Sequence, residues 1–335
     1  MTNDPNGESR HVLLTGGSSG IGYEATAQLL QAGHRLTVLC RDVATADRMR
    51  HQFGEQLTTP ICDLADLISL ERYTTDQLAT GAPIDTLVLN AGLQYSGAPA
   101  PRWSAQGFEL TVAVNHLAHQ ALLQRLLPLL LASARPRLVV TASEVHDPTT
   151  PGGRVGPPAA LGDLTGLRQG PGAAMLDGGL FQAEKAYKDS KLCNLLMAQE
   201  VERRLRQQGR SLSVLAWSPG LVIPRGAGGF FRDSRRHNPL GQVVFALIAR
   251  DLLRVTETPQ RAGSLLAGLA TITPPQSSGF QYWSNRVLGP GRLQFERRTP
   301  SAEACGGDLA RELWNLSAEQ LGLESELGVA PVSGS

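Results

Sequence analysis

Three hundred and thirty-five residues, 41% hydrophobic and 18% charged, supply core enough for one large α/β domain or two small ones and exclude a disordered or collagen-like chain. Lys+Arg 31 against Asp+Glu 30 leaves a net charge of +1, so no strongly basic face is offered to a phosphate backbone and nucleic acid is not an expected partner. Cys40, Cys62, Cys193 and Cys305 form no CxxC or Cys/His spacing, which argues against zinc and disulfides and fits a cytoplasmic setting; the longest apolar stretch, 126–132, is broken by Pro128 and too short to span a bilayer.

The first half alternates short apolar runs with amphipathic stretches, the pattern of βαβ units wound into a parallel sheet. Strands are predicted at 11–15, 35–40, 86–90 and 137–142, with a further one ahead of Asp63. Helices are predicted at 23–32 and 44–53, then over a long stretch, 108–134, kinked near Pro128. Residues 148–179 are rich in Gly and Pro with no apolar period and read as a substrate-side insertion. Helix resumes at 186–208 and strand at 213–217, followed by a lid-like Gly/Pro/Arg-rich segment, 220–239. Two helices (241–254 and 259–270), a strand (280–283), a short helix (310–321) and a flexible tail from 326 complete the chain. The expected fold is a single doubly wound α/β domain over 1–325, with a mostly parallel sheet and helices on both faces.

Thr15-Gly16-Gly17-Ser18-Ser19-Gly20-Ile21-Gly22 lies between the first strand and the first helix, where a dinucleotide pyrophosphate meets a helix N-terminus. Gly16 permits the tight turn, Gly20 lets backbone approach phosphate, and Gly22 lets helix pack on strand. At the end of the second strand stand Cys40-Arg41-Asp42. An arginine there accommodates the 2′-phosphate of NADP, whereas an acidic residue would bind the hydroxyl of NAD. The competing reading makes Arg41 a surface charge and Asp42 a helix cap. Asp63 is a candidate for the adenine amine or an ordinary solvated loop aspartate.

Asn90-Ala91-Gly92 closes the fourth strand, Asn115 sits in the following helix and Ser143 ends the fifth strand. Tyr187 and Lys191, four apart on a helix, share a face. A phenol with an ordinary pKa near 10 is a poor acid–base group at neutral pH, and a nearby cation stabilises its phenolate, so Lys191 is expected to lower the Tyr187 pKa and to bind ribose. Ser143 would hydrogen-bond the reacting oxygen, and Asn115 would hold a water linking Lys191 to solvent. The 31 basic residues are 28 Arg and 3 Lys, and the lysines are Lys185, Lys188 and Lys191. Helical geometry turns Lys188 away from Tyr187, which predicts a nearly silent Lys188→Arg.

These motifs resemble those of the short-chain dehydrogenase/reductase family over about residues 10–325. A closer resemblance is to the light-dependent protochlorophyllide oxidoreductases. It rests on Cys40-Arg41-Asp42, Gly107-Phe108-Glu109-Leu110-Thr111, Asn115-His116-Leu117, Leu161-Gly162-Asp163-Leu164, the run from Ala186 to Asn194, and the insertion between Ser143 and Tyr187. The resemblance implies NADPH as cofactor and hydride transfer to a bulky conjugated, tetrapyrrole-like substrate, with Tyr187 as proton donor. Two positions depart from it. The family's cysteine after Pro-Gly corresponds to Leu221, which can donate no proton, and its tyrosine beyond the Asn-Ala-Gly segment corresponds to Gln94, with Tyr95 one position late.

Gln94, Tyr95, His146 and Leu221 are therefore the candidate substrate contacts, although a loop histidine is an equally good reading of His146. His116 and His119 share a helix but lack a third ligand, so no metal is expected. Trp217, Tyr282 and Trp283 read as core or pocket wall, and Arg232 to His237 as a basic loop. An ordinary carbonyl reductase and a non-catalytic pigment carrier or NADPH-responsive regulator are the alternative functions. Peripheral membrane contact and a homo-oligomer are left open.

Overall fold

The computed structural model describes residues 9–223, 256–271 and 279–328. Eight strands form one sheet: β1 (His11–Thr15), β2 (Arg35–Leu39), β3 (Leu57–Thr58), β4 (Thr86–Leu89), β5 (Arg137–Thr141), β6 (Ser213–Ser218), β7 (Gln281–Gly289) and β8 (Arg292–Arg298). Their order is β3-β2-β1-β4-β5-β6-β7-β8, parallel except for the antiparallel pair β7–β8. The described helices are α1 (Gly20–Gln31), α2 (Val43–Phe53), α3 (Leu67–Thr80), α4 (Leu110–Val112), α5 (Ala118–Leu131), α6 (Pro151–Arg154), α7 (Thr165–Gln169), α8 (Ala183–Gln207), α9 (Pro259–Thr271) and α10 (Gly307–Gln320).

Alternate strand residues feed two cores. Leu13, Leu87, Leu138 and Val140 pack with Leu70 of α3, Leu122 of α5, Leu192 of α8 and Leu313 of α10. Val12, Leu14, Val38, Val88 and Val139 pack on the other face with Leu29 of α1, Met49 of α2 and Leu266 of α9. A strand buried on both faces needs a continuous apolar run, which is why these segments do not alternate with polar residues. The fold is thus doubly wound, as expected. Winding reverses between β1 and β4, and the crevice beyond their carboxyl ends is where open α/β sheets bind ligands.

Three expectations are corrected. The long helical stretch departs from α geometry not at Pro128, which lies inside α5, but at a π-helical turn, Ala113–Leu117, that carries Asn115. The strand expected at 280–283 is the start of a longer β7, which turns back as β8; the polar residues of that hairpin hid it. Residues 148–179, which show no apolar period, are not simply loop: they contain α6 and α7, and Leu161, Leu164, Leu167 and Leu176 join the core under α8 and α10. The helix expected at 241–254, the basic loop 232–237, most of the lid-like segment 220–239 and the end of the tail lie outside the described residues.

Candidate active site

The turn after β1 is built by steric necessity. Gly16 has φ +68°, and a Cβ on it would meet the Ala91 Cα at 2.8 Å; a Cβ on Gly22 would meet the Gly16 carbonyl oxygen at 2.2 Å. Gly20 has φ +54° and open space at its Cβ position, the opening through which a phosphate can approach backbone. Ser18 is half-buried, Ser19 is exposed and Ile21 packs partly on the core. Ser19 is the N-cap of α1 but makes no side-chain capping bond, so the first-turn amides of this twelve-residue helix face the crevice without that partner. This cradle fits a dinucleotide pyrophosphate.

Arg41 is exposed at the end of β2 and pairs with Asp42 at 3.4 Å. Asp42 also caps α2 by accepting from Thr45 N at 2.8 Å, so the capping reading of Asp42 holds and leaves Arg41 on the rim. Asp63 accepts from Ala65 N at 3.0 Å and shapes the loop after β3. Beyond β4, the Thr15 hydroxyl accepts the amides of Asn90 and Ala91, both at 2.9 Å. The Asn90 side chain bridges the Thr15 carbonyl (3.2 Å) and the Thr141 hydroxyl (3.2 Å), tying β1, β4 and β5 together.

Tyr187, Ser143 and Lys191 converge at the ends of β5 and α8. The Ser143 side chain lies beside the Tyr187 phenol and favours its ionised form, and Lys191 Nζ lies 5.6 Å from the phenol ring centre. Burial pushes the Tyr187 pKa above its usual value, with Ser143 opposing. Burial also pulls the Lys191 ammonium down to about 8. The expected lowering of the phenol by Lys191 is therefore corrected: in the protein alone, desolvation dominates. Lys191 is 2% exposed and donates to the Thr141 carbonyl at 3.1 Å, its one hydrogen-bond partner among the described residues. A Cβ on Gly92 would stand 3.3 Å from its nitrogen, so the ammonium faces the Asn90-Ala91-Gly92 loop, where ribose hydroxyls would take its remaining donors.

The Asn115 side chain is a structural clamp. Its carboxamide accepts Leu93 N (2.9 Å) and donates to the Leu93 carbonyl and Ser190 Oγ (both 3.0 Å), clamping the loop after β4 onto α8.

The family model described as short chain dehydrogenase matches residues 10–154. Protochlorophyllide reductase of Cucumis sativus is 34% identical over 321 residues, covering 93% of this chain and 78% of that protein. Protochlorophyllide reductase A of Oryza sativa subsp. japonica is 34% identical over 323 residues, covering 93% and 80%. The chain belongs to the short-chain dehydrogenase/reductase family, on its protochlorophyllide-reductase branch. Among solved folds, an uncharacterized protein from Mycobacterium Paratuberculosis superposes with a TM-score of 0.66 at 25% identity, covering 94% of both chains. The RhlG/NADP complex of Pseudomonas aeruginosa superposes with a TM-score of 0.57 at 23% identity, covering 82% of this chain and 94% of that one.

As a short-chain dehydrogenase/reductase, the chain is an oxidoreductase, and the residues expected on its substrate side are engaged as follows. Tyr95 is buried, its hydroxyl donating to Glu109 and accepting Arg102 N at 3.1 Å, so that hydroxyl is spent on fixing its own loop. Gln94 is buried beside it and accepts from Ser96 Oγ at 3.2 Å. His146 is a pin: Nδ1 meets the Ser143 carbonyl at 2.6 Å and Nε2 accepts Ser301 N at 3.2 Å, a pattern that fixes the neutral Nδ1–H tautomer. Burial lowers its pKa, consistent with that state. Leu221 is half-buried and its carbonyl accepts Glu257 N at 2.8 Å. Trp217, Tyr282 and Trp283 belong to the cores.

Several residues that shape the site were not singled out by sequence. Glu109 caps the start of α4 through Thr111 N (3.0 Å) and Val112 N (2.9 Å), a pattern legible in Glu109-Leu110-Thr111. Glu257 accepts from Asn285 Nδ2 at 2.8 Å, and Asn285 also donates to the Pro219 carbonyl at 3.3 Å, a long-range clamp with no local signal. Lys185 and Lys188 are structural. Lys185 donates to the Ala160 carbonyl (2.6 Å), Asp189 (2.6 Å) and Asp177 (2.9 Å). Lys188 donates to the carbonyls of Gly153 (2.8 Å), Val155 (2.7 Å) and Pro157 (2.9 Å), a structural role that the expectation of a nearly silent replacement did not include.

Proposed function

We propose that this oxidoreductase takes NADPH and reduces a bulky conjugated, tetrapyrrole-like substrate, with Tyr187 as proton donor. The observation that carries the reading is the Tyr187 phenol set among Ser143 and a buried Lys191 whose one hydrogen-bond partner among the described residues is the Thr141 carbonyl. A pigment carrier needs no such pairing. Support for the substrate class comes from the named relatives and from the 148–179 insertion, whose core leucines and lysine anchors make it an integral wall of the fold.

NADPH supplies the hydride. Gly16, Gly20 and the amides of α1 would receive its pyrophosphate, Arg41 would take the 2′-phosphate, and Lys191 would hold the ribose. A raised pKa keeps the Tyr187 phenol protonated and ready to donate; the Lys191 ammonium and the Ser143 hydroxyl stabilise the phenolate as the proton leaves. His146 fixes the Ser143 backbone from behind.

The test is to incubate the protein with NADPH and protochlorophyllide, in darkness and in light, and to follow pigment absorbance. A light-dependent product supports the reading, and a bound complex that never turns over refutes it. Leu221 favours one second reading, an ordinary carbonyl reductase, because it places an apolar side chain where the branch carries a cysteine; NADPH oxidation by carbonyl compounds in darkness would support that reading.

A further inference from the structure

His119 lies outside the reaction yet touches the cofactor cradle from beneath. It is fully buried on α5, four residues after Asn115, and its Nε2 stands 3.1 Å from the Thr15 hydroxyl. That hydroxyl has one proton and two lone pairs. Both lone pairs are taken by the amides of Asn90 and Ala91 at 2.9 Å. The proton then has two destinations, His119 Nε2 at 3.1 Å or the Val88 carbonyl at 3.4 Å, and the shorter contact is to the imidazole. A protonated imidazole, or one carrying its proton on Nε2, would set a third donor against an oxygen already accepting two. Burial and the nearby Lys191 charge keep His119 neutral, with its pKa pulled down to about 3.

We propose that His119 is a positioning residue for the dinucleotide: its neutral Nε2 accepts the Thr15 hydroxyl proton, turning the oxygen's lone pairs onto the Asn90 and Ala91 amides and setting the loop that faces the cofactor. The contact matters because Gly16 and Ala91 nearly touch, so a small shift of either loop would narrow the crevice. The inference rests on the dinucleotide reading of the Gly16–Gly22 turn.

Two measurements test it. Side-chain nitrogen NMR of the unmodified protein reads the tautomer directly, with the His119 signals assigned by their absence in His119→Gln. The Nδ1–H form is expected, and an Nε2–H form overturns the proposal whether or not any cofactor binds. NADPH fluorescence titration then reads the consequence. His119→Leu is expected to weaken binding by about tenfold, the value of one lost hydrogen bond, Thr15→Val by more because it also strips the Asn90 and Ala91 amides of their acceptor, and the double variant no more than Thr15→Val alone. His119→Gln, which retains an acceptor near Nε2, is expected to recover most of the affinity; if His119→Leu does not fold, His119→Gln against Thr15→Val supplies the comparison. Unchanged affinity in these variants, or losses that simply add, would overturn the proposal. An unmodified protein that does not bind NADPH would instead refute the cofactor reading.

Discussion

Lys188 and Lys191 stand three residues apart on α8, both buried, and their ammonium groups are used in opposite ways. Three backbone carbonyls of the insertion surround Lys188 Nζ within 2.9 Å, whereas Lys191 Nζ has the Thr141 carbonyl alone among the described residues. A compact ammonium satisfies three convergent carbonyls, and a planar guanidinium cannot. Lys188→Arg should therefore lower unfolding free energy by about 2–4 kcal/mol, read by denaturant titration. Lys191→Arg should instead weaken NADPH binding and turnover with the smaller effect on stability.

The same clamp predicts an ordered insertion without any ligand. Ala160 N donates to Asp189 Oδ1 and Gly166 N to the Leu176 carbonyl, both at 2.9 Å. Burial pushes the Asp189 carboxyl up to about 7, with Lys185 opposing. Hydrogen exchange of the ligand-free protein should show both amides protected, and Lys188→Met should release residues 153–157 first. Exchange at unstructured-chain rates in the unmodified protein would contradict the clamp.

Lys191 gives a pH dependence with a definite sign. Its folded pKa is about 8 against an ordinary 10.5, so between those values the unfolded chain binds more protons and stability rises with pH. The contribution is on the order of 3 kcal/mol over that window and is absent below it. Unfolding free energies at pH 7.5 and 10 for the protein and for Lys191→Met check it: the variant should lack this rise.

The glycines of the first turn should separate by mechanism. Gly22→Ala drives a Cβ to 2.2 Å from the Gly16 oxygen, so both the fold and NADPH binding should suffer, by about 1–3 kcal/mol or more in stability. Gly20→Ala meets no atom within 4 Å but must hold φ +54°, a strain of about 1–2 kcal/mol, and it fills the phosphate opening. Calorimetry and NADPH titration together should show Gly20→Ala losing binding out of proportion to its modest loss of stability.

Arg41 tests cofactor choice. An exposed guanidinium at the end of β2 should contribute through one charge-assisted contact, so Arg41→Ala should weaken NADPH about tenfold or more and leave NADH nearly unchanged. Equal losses for both cofactors would remove Arg41 from the 2′-phosphate site.

The doubly wound sheet, the glycine turn and the grouping of Ser143, Tyr187 and Lys191 were legible in the amino-acid order. Continuous apolar runs, a turn that only glycine can make and a four-residue helical spacing are local signals, each written within a few residues. Tertiary structure alone decided what the other polar groups do. Nothing near Tyr95 in sequence says that Glu109 takes its hydroxyl, and Lys188 read only as turned away from Tyr187 until three carbonyls of the insertion closed on it. The partners of Thr15, Asn90 and Ala91 just after β4 and His119 on α5, lie more than seventy residues away in sequence. A buried donor or acceptor must be satisfied, but which distant group satisfies it is set by how helices settle on the sheet, and no sequence window contains both halves of such a bond.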